Sequence, residues 1–298
     1  MQKNNAYDKI KISKTKEGGK MNYVIFNKLS NNKKGELTAN ALIEKIGESK
    51  KISALGLNFT EFLSGLADSD KVYLVGGDGT LNYFINDVYG VDIKPSVYFC
   101  PAGSGNDFVN DVKDDLTGGV IDLKKYIKDL PTVYVNGMEK KFINGIGYGL
   151  DGVCCEVGDL QRAKSDKPVN YTSIAIKLCL YAYKPRNATV IVDGKEYSFK
   201  KVWIAPTMKG RYYGGGMKVA PRQNRFAEDK KVTFVAVFGG SRLKILTTFP
   251  KIFSGEHEGK SIVTMLEGKE ITVKFDKPCA LQVDGETVLK VSEYTVKA

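Results

Sequence analysis

The chain of 298 residues holds one histidine, one tryptophan and five cysteines. A lone imidazole gives little basis for histidine chemistry, and His257 reads as a structural or surface residue. Trp203 and the tyrosines Tyr181, Tyr183, Tyr212 and Tyr213 read as core or rim packing. Cys100, Cys154, Cys155, Cys179 and Cys279 lack metal-ligand spacing, and an odd, scattered set argues for reduced thiols in a cytoplasmic protein. Long apolar runs are also missing. None opens the chain, so no signal peptide is expected. The most apolar helix candidate, residues 174–183, is too short to span a bilayer and carries Lys177. No transmembrane segment is expected, and membrane contact would have to be peripheral.

The net charge is +11, spread along the chain with no dense basic block. With no RNP-like or helix-turn-helix motif, nucleic acid is not an expected partner. The excess suits an anionic membrane surface or a solvated lysine-rich exterior. No internal repeat or low-complexity tract stands out.

What is present is enough chain for two domains with separate cores. The most telling stretch is Val72-Tyr73-Leu74-Val75-Gly76-Gly77-Asp78-Gly79-Thr80-Leu81-Asn82. An apolar strand runs into three glycines around one carboxylate, and then Leu81, Phe84, Ile85 and Val88 recur at helical spacing. Backbone N–H groups at such a turn and helix start suit the phosphates of a nucleotide. The stretch is no Walker loop, because no Gly-Lys-Ser/Thr follows. Charge must then be neutralised from elsewhere, most simply by a metal near Asp78. Alone, the stretch reads equally well as a plain turn between two elements.

Residues 1–20 are polar and lysine-rich and read as a mobile leader. Strands are expected over residues 22–26, 51–57, 72–75 and 96–100, each followed by a helical stripe. Four strand–helix units imply a parallel sheet covered on both faces, with ligands at the carboxyl ends of the strands. The loops over residues 27–31, 76–80 and 103–107 share that edge, and their convergence favours a nucleotide. One residue of the Asn106-Asp107 pair is expected to cap the following helix. Residues 21–125 are thus read as a nucleotide-binding α/β domain. Beyond it come short strands with turn signals, including a hairpin across Asp193-Gly194, and two helices near residues 171–183 and 242–249. Residues 126–298 are read as a mostly antiparallel β-sandwich, with its last segment able to pack back on the first domain.

Several motifs in order resemble the diacylglycerol kinase catalytic family, which includes bacterial lipid kinases and sphingosine and ceramide kinases. These are Gly76-Gly77-Asp78-Gly79-Thr80-Leu81-Asn82, Pro101-x-Gly103-Ser104-Gly105-Asn106-Asp107-Phe108, and Phe142-x-Asn144 with Gly147, Gly149 and Asp151. Tyr212-Tyr213-Gly214-Gly215-Gly216-Met217 with Ala220-Pro221, Gly255-x-His257, and Val283-Asp284-Gly285-Glu286 follow. The resemblance implies an N-terminal domain like those of phosphofructokinase and NAD kinase, a C-terminal β-sandwich, and ATP in the cleft between them. It implies nucleotide contacts by Asn27, Ser30, Gly76, Gly77, Asp78, Gly79, Thr80, Asn82, Gly103, Ser104 and Asn106. Asp78, Asp107 and Asp122 would organise Mg²⁺, and Asp284 or Glu286 would accept the proton of a lipid hydroxyl.

The expected activity is transfer of the γ-phosphate of ATP to diacylglycerol or a related long-chain lipid at the membrane surface. The alternatives are an NAD-kinase-like enzyme and a catalytically weak lipid- or nucleotide-binding module. The departures are Asn27-Lys28-Leu29-Ser30-Asn31 for Asn-Pro-x-Ser-Gly, Tyr83 in place of Glu, and Asp229-Lys230 where Asp-Gly is usual. Asp229 is therefore a doubtful ligand of a second metal. A homodimer is compatible with these readings.

Overall fold

The computed structural model describes residues 20–30, 34–165 and 169–298. The expected leader lies outside the described residues, Lys20 apart. β1 (Asn22–Phe26), α1 (Gly35–Ile46), β2 (Ser49–Ser53), α2 (Phe59–Ser64), β3 (Lys71–Gly76), α3 (Asp78–Asp87), β4 (Ser96–Pro101) and α4 (Asp107–Asp111) alternate through the first domain. The strands lie in the order β2-β1-β3-β4, all parallel, and the short β5 (Ile121–Asp122) adds antiparallel to β4. The central strand β3 is apolar throughout because both faces are covered. Val72 and Leu74 enter the core shared with α2 and α3, while Tyr73 and Val75 enter the core beneath α1. Asn58 caps α2 by accepting from the Glu61 N–H at 2.9 Å.

The second domain contains β6 (Thr132–Val135), β7 (Met138–Lys141), β8 (Gly145–Tyr148), α5 (Leu150–Lys164), α6 (Tyr171–Lys177), β9 (Arg186–Val192), β10 (Lys195–Ile204) and β11 (Thr207–Met208). After these come β12 (Val232–Phe238), α7 (Arg242–Ser254), β13 (Val263–Gly268), β14 (Glu270–Val283) and β15 (Glu286–Lys297). The pairing is antiparallel throughout. It runs β14-β8-β11-β12-β10-β9 and returns to β14, so the sheet folds over on itself around one apolar interior. α5, α6 and α7 cover the outside of this sheet around a second cluster that includes Trp203, Tyr183 and Cys179.

Helix α5 has no counterpart in the sequence reading. Its glycines lower the helical signal yet are needed for packing. A Cβ at Gly152 would lie 2.0 Å from the Ala280 carbonyl oxygen, and one at Gly158 would strike the Tyr171 ring. None of the helices is long and apolar enough to cross a membrane, among the described residues.

The domains join along residues 142–144, where alternate side chains serve different cores. Phe142 points into the sandwich and Ile143 into the first domain. That alternation presents the backbone N–H groups of this segment to the gap between the domains.

Candidate active site

Adjacent parallel strands β3 and β4 deliver their following loops to one edge. The loops touch backbone to backbone: a Cβ built on Gly103 would lie 2.7 Å from the Gly77 Cα, and one on Gly77 would lie 3.0 Å from the Gly103 Cα. The Ala102 N–H donates to the Gly76 carbonyl at 2.7 Å. Gly76 is equally constrained, with the Thr80 side chain 2.5 Å from any added Cβ. Gly79 differs. It is exposed, and nothing lies within 4 Å of its Cβ position, so the first turn of α3 is open there.

Asn27 donates to Thr80 Oγ1 at 2.9 Å and accepts from the Leu29 N–H, which fixes the first loop against α3. Ser30 accepts from the Gly35 N–H through its carbonyl; Asn31 lies outside the described residues. Ser104 is at the exposed tip of the second loop. Asn106 adopts a left-handed backbone, φ 51°, and its buried Oδ1 has no hydrogen-bond partner among the described residues. Tyr83 turns its ring to Phe59 and its hydroxyl to the Leu57 carbonyl, away from both loops.

The cap expected from Asn106 or Asp107 comes instead from the neighbouring loop. Asp78 accepts from the Asp107 N–H at 3.1 Å and the Phe108 N–H at 3.0 Å, closing the N-terminus of α4. Asn144 Nδ2 also donates to Asp78, at 3.1 Å. Asp107 in turn accepts from the Gly215 and Gly216 N–H groups at 2.9 and 2.6 Å. Gly214, Gly215 and Gly216 all have positive φ, 63°, 84° and 106°, and this conformation aims successive N–H groups at one carboxylate. Burial, helped by the like charge of Asp78, pushes the Asp107 carboxyl up to about 7, against the two backbone donors.

Asp284 and Gly285, with φ 46° and 93°, form a two-residue turn closed by the Val283–Glu286 pair. Asp284 is buried and crosses the gap. Its carboxylate accepts from Asn82 Nδ2 (3.0 Å) and from the N–H groups of Ile143 (2.6 Å), Asn144 (2.9 Å) and Gly145 (2.9 Å). Burial pushes this carboxyl above its usual range, while the four donors pull the other way. Glu286 remains partly exposed and pairs with Lys140 at 2.5 Å.

Two predicted ligands are not brought to the loops. Asp122 is exposed, pairs opposite Tyr98 well before the loop end of β4, and accepts from the Lys124 N–H. Asp229 is exposed and paired with Lys231 at 3.0 Å. Among the described residues no group of three or more His, Cys, Asp or Glu forms a metal cage.

Sequence reasoning passed over Asp111, Arg211 and Arg225. The buried Asp111 accepts from Arg211 Nε at 2.5 Å and from Arg225 Nε. Arg225 also donates to the Ile143 carbonyl and, at 3.0 Å, to Asn144 Oδ1. Asn144 therefore lies between Arg225 and Asp78. Only the demand that a buried carboxylate find a cation could have pointed to this set.

Residues 22–130 match the diacylglycerol kinase catalytic domain, and residues 144–295, about half of the chain, match the YegS C-terminal NAD kinase beta sandwich-like domain. The chain belongs to the diacylglycerol kinase catalytic-domain family. Within this lipid-kinase family it is 26% identical over 236 residues to the Bacillus subtilis protein named "Putative lipid kinase YtlR", covering 72% of this chain and 74% of that one. It is 26% identical over 219 residues to a diacylglycerol kinase of Mycobacterium tuberculosis, covering 69% and 67%. The fold is that of a Bacillus anthracis diacylglycerol kinase crystal structure, with a TM-score of 0.65 at 17% identity over 93% of each chain.

Proposed function

We propose that the chain is an ATP-dependent lipid kinase that transfers the γ-phosphate of ATP to a hydroxyl of diacylglycerol or a related long-chain lipid. The observation that carries this reading is the Asp78 carboxylate, set at the start of α3 where the two glycine loops meet and facing the second domain through Asn144. Gly79 leaves room for phosphate beside the free N–H groups of that helix start. The buried Asn106 Oδ1 offers an acceptor to a nucleotide hydroxyl or a bound water.

Phosphoryl transfer needs positioning, charge neutralisation and a proton acceptor. Asp78 and Asp107 are neighbouring carboxylates whose mutual repulsion a divalent cation would relieve, and Mg²⁺ commonly takes one or two carboxylates plus water and phosphate oxygens. They would hold Mg²⁺, which would supply positive charge beside a phosphate. Glu286 is the proposed proton acceptor. Asp284 is occupied by four N–H donors and holds the domains in register, whereas Glu286 is partly exposed with one lysine partner.

Peripheral membrane contact has support on the α6–α7 side. Ile176, Tyr181, Leu243 and Phe253 are exposed there beside Lys177, Lys244 and Lys251. Exposed apolar side chains on the same elements as exposed lysines suit an anionic bilayer surface. Incubation with Mg²⁺-ATP and a total lipid extract, followed by mass spectrometry, tests the proposal. A new phosphomonoester lipid is expected. Label that appears only in NADP, or in no product, would overturn it.

A further inference from the structure

Behind the Asn144–Arg225 contact lies a cavity of about 190 Å³ between the end of the first domain and the 225–230 segment of the second. Four cations line it, Lys125, Lys209, Arg225 and Lys230, against two acids, Asp129 and Glu228. Three of the cations already have a carboxylate. Lys125 pairs with Asp115 at 2.6 Å, Arg225 with Asp111, and Lys230 with Asp129 at 3.3 Å. Lys209 is different. It is only 7% exposed, no carboxylate among the described residues pairs with it directly, and Asp129 is near enough to favour its charge.

Burial and the nearby charge of Arg225 lower the Lys209 pKa from its ordinary value. An anion in the cavity would give this partly desolvated ammonium a direct partner, where four cations face two acids. The cavity is smaller than the roughly 300–1,000 Å³ usual for organic ligands. It therefore suits a compact anion and excludes a nucleotide. Tyr126 and Phe226, with rings 5.3 Å apart, form an apolar lip, and the Lys125 ammonium lies over both.

We infer that this cavity is a binding site for a phosphate-class dianion, either free phosphate or the phosphomonoester head of a lipid, distinct from the glycine loops. Bound there, the anion would span both domains, touching Lys125 from the first and Lys209 and Lys230 from the second. It would brace the Arg225–Asn144–Asp78 line, because the Lys209 N–H already donates to the Asn144 carbonyl at 2.9 Å. Occupancy would thus stiffen the hinge between the domains.

The site is tested on the full chain without ATP or acceptor lipid, so the result does not depend on the kinase reading. Equilibrium dialysis against labelled inorganic phosphate should show saturable binding near one per chain. Lys209→Met should weaken it by about tenfold or more, Lys209→Arg should retain it, and Gly79→Ala should leave it unchanged. A cooperative thermal melt of Lys209→Met checks that the variant is folded. In the second arm, phosphatidylcholine vesicles carry either phosphatidic acid or phosphatidylserine at equal surface charge. A Lys209-dependent preference for phosphatidic acid identifies a lipid headgroup, and Lys209-dependent phosphate binding without that preference identifies the free anion. Phosphate binding that survives Lys209→Met but fails in Gly79→Ala would place the anion on the glycine loops and refute the site. No Lys209-dependent binding in either arm would refute it as well.

Discussion

Asn82 on α3 and Asp284 on the β14–β15 turn lie 202 positions apart and meet at 3.0 Å. This hydrogen bond links the helix that follows the first glycine loop to the acidic hairpin of the second domain. Of the four donors to Asp284, Asn82 alone comes from the first domain; the other three are the N–H groups of residues 143–145. Asn82→Ala should therefore cost about 1–3 kcal/mol, the price of one lost buried partner. Asp284→Ala strands four donors at once and should cost more, at least about 3 kcal/mol. Urea unfolding followed by circular dichroism checks the order. Equal and small losses for both variants would mean that the contact does not bind the domains.

The two glycine loops predict opposite outcomes for one small change. Gly103→Ala must push the loops apart, because its Cβ would lie 2.7 Å from the Gly77 Cα, and it should lower both stability and ATP affinity. Gly79→Ala meets nothing within 4 Å and should leave the melting temperature unchanged. If phosphate lies against that turn, the same variant weakens ATP binding by about tenfold or more. Calorimetric titration with ATP, paired with thermal melts, reads both quantities.

Asp107 gives the metal-free protein a distinct pH response. Its carboxyl is pushed up to about 7 in the folded chain from the ordinary value of 3.8. Between these values the folded state keeps a proton that the unfolded chain has released, so stability falls as pH rises from about 4 through about 7. The slope from this one group is at most about 1.4 kcal/mol per pH unit. Urea midpoints in EDTA from pH 5 to 8 should show a shallower decline for Asp107→Asn than for the parent chain. Parallel declines would remove Asp107 as a source.

Asp111 and Arg225 should behave as a unit. Arg225→Leu leaves a buried carboxylate with Arg211 alone and strips Asn144 Oδ1 of its donor, a loss of about 3–5 kcal/mol. The double variant Asp111→Leu/Arg225→Leu removes the stranded charge and should be more stable than the single. A double-mutant cycle by chemical denaturation measures the coupling. Simple additivity would contradict it.

Much of the first domain was legible because its strands are apolar runs and its loops are glycine clusters, signals that survive without tertiary context. The sandwich was legible in outline only. Asp193-Gly194 and Asp284-Gly285 make the same turn, with φ 47° and 82° in one and 46° and 93° in the other. Yet Asp193 accepts from the Lys269 and Glu270 N–H groups at an exposed edge, while Asp284 reaches the other domain. Local sequence cannot tell them apart; the order of motifs could. β14 contains Pro278, and its pairing with β15 shifts register between Lys274 and Cys279, so the sequence of this stretch does not read as one strand. Arg225 sits in a polar stretch that reads as surface, and its burial follows only from the position of Asp111 on the other domain. Asp122, grouped with Asp78 and Asp107 by motif, lies on the short edge strand opposite Tyr98.

Transfer of label from γ-³²P-ATP into an organic-phase lipid by Asp78→Asn, measured beside the parent chain, tests the account most directly. Asp78 anchors the second glycine loop and faces the gap through Asn144, so turnover on diacylglycerol vesicles should fall by about 10²-fold or more while the variant still melts cooperatively. Undiminished transfer by a folded Asp78→Asn chain would contradict a phosphotransfer site between these two domains.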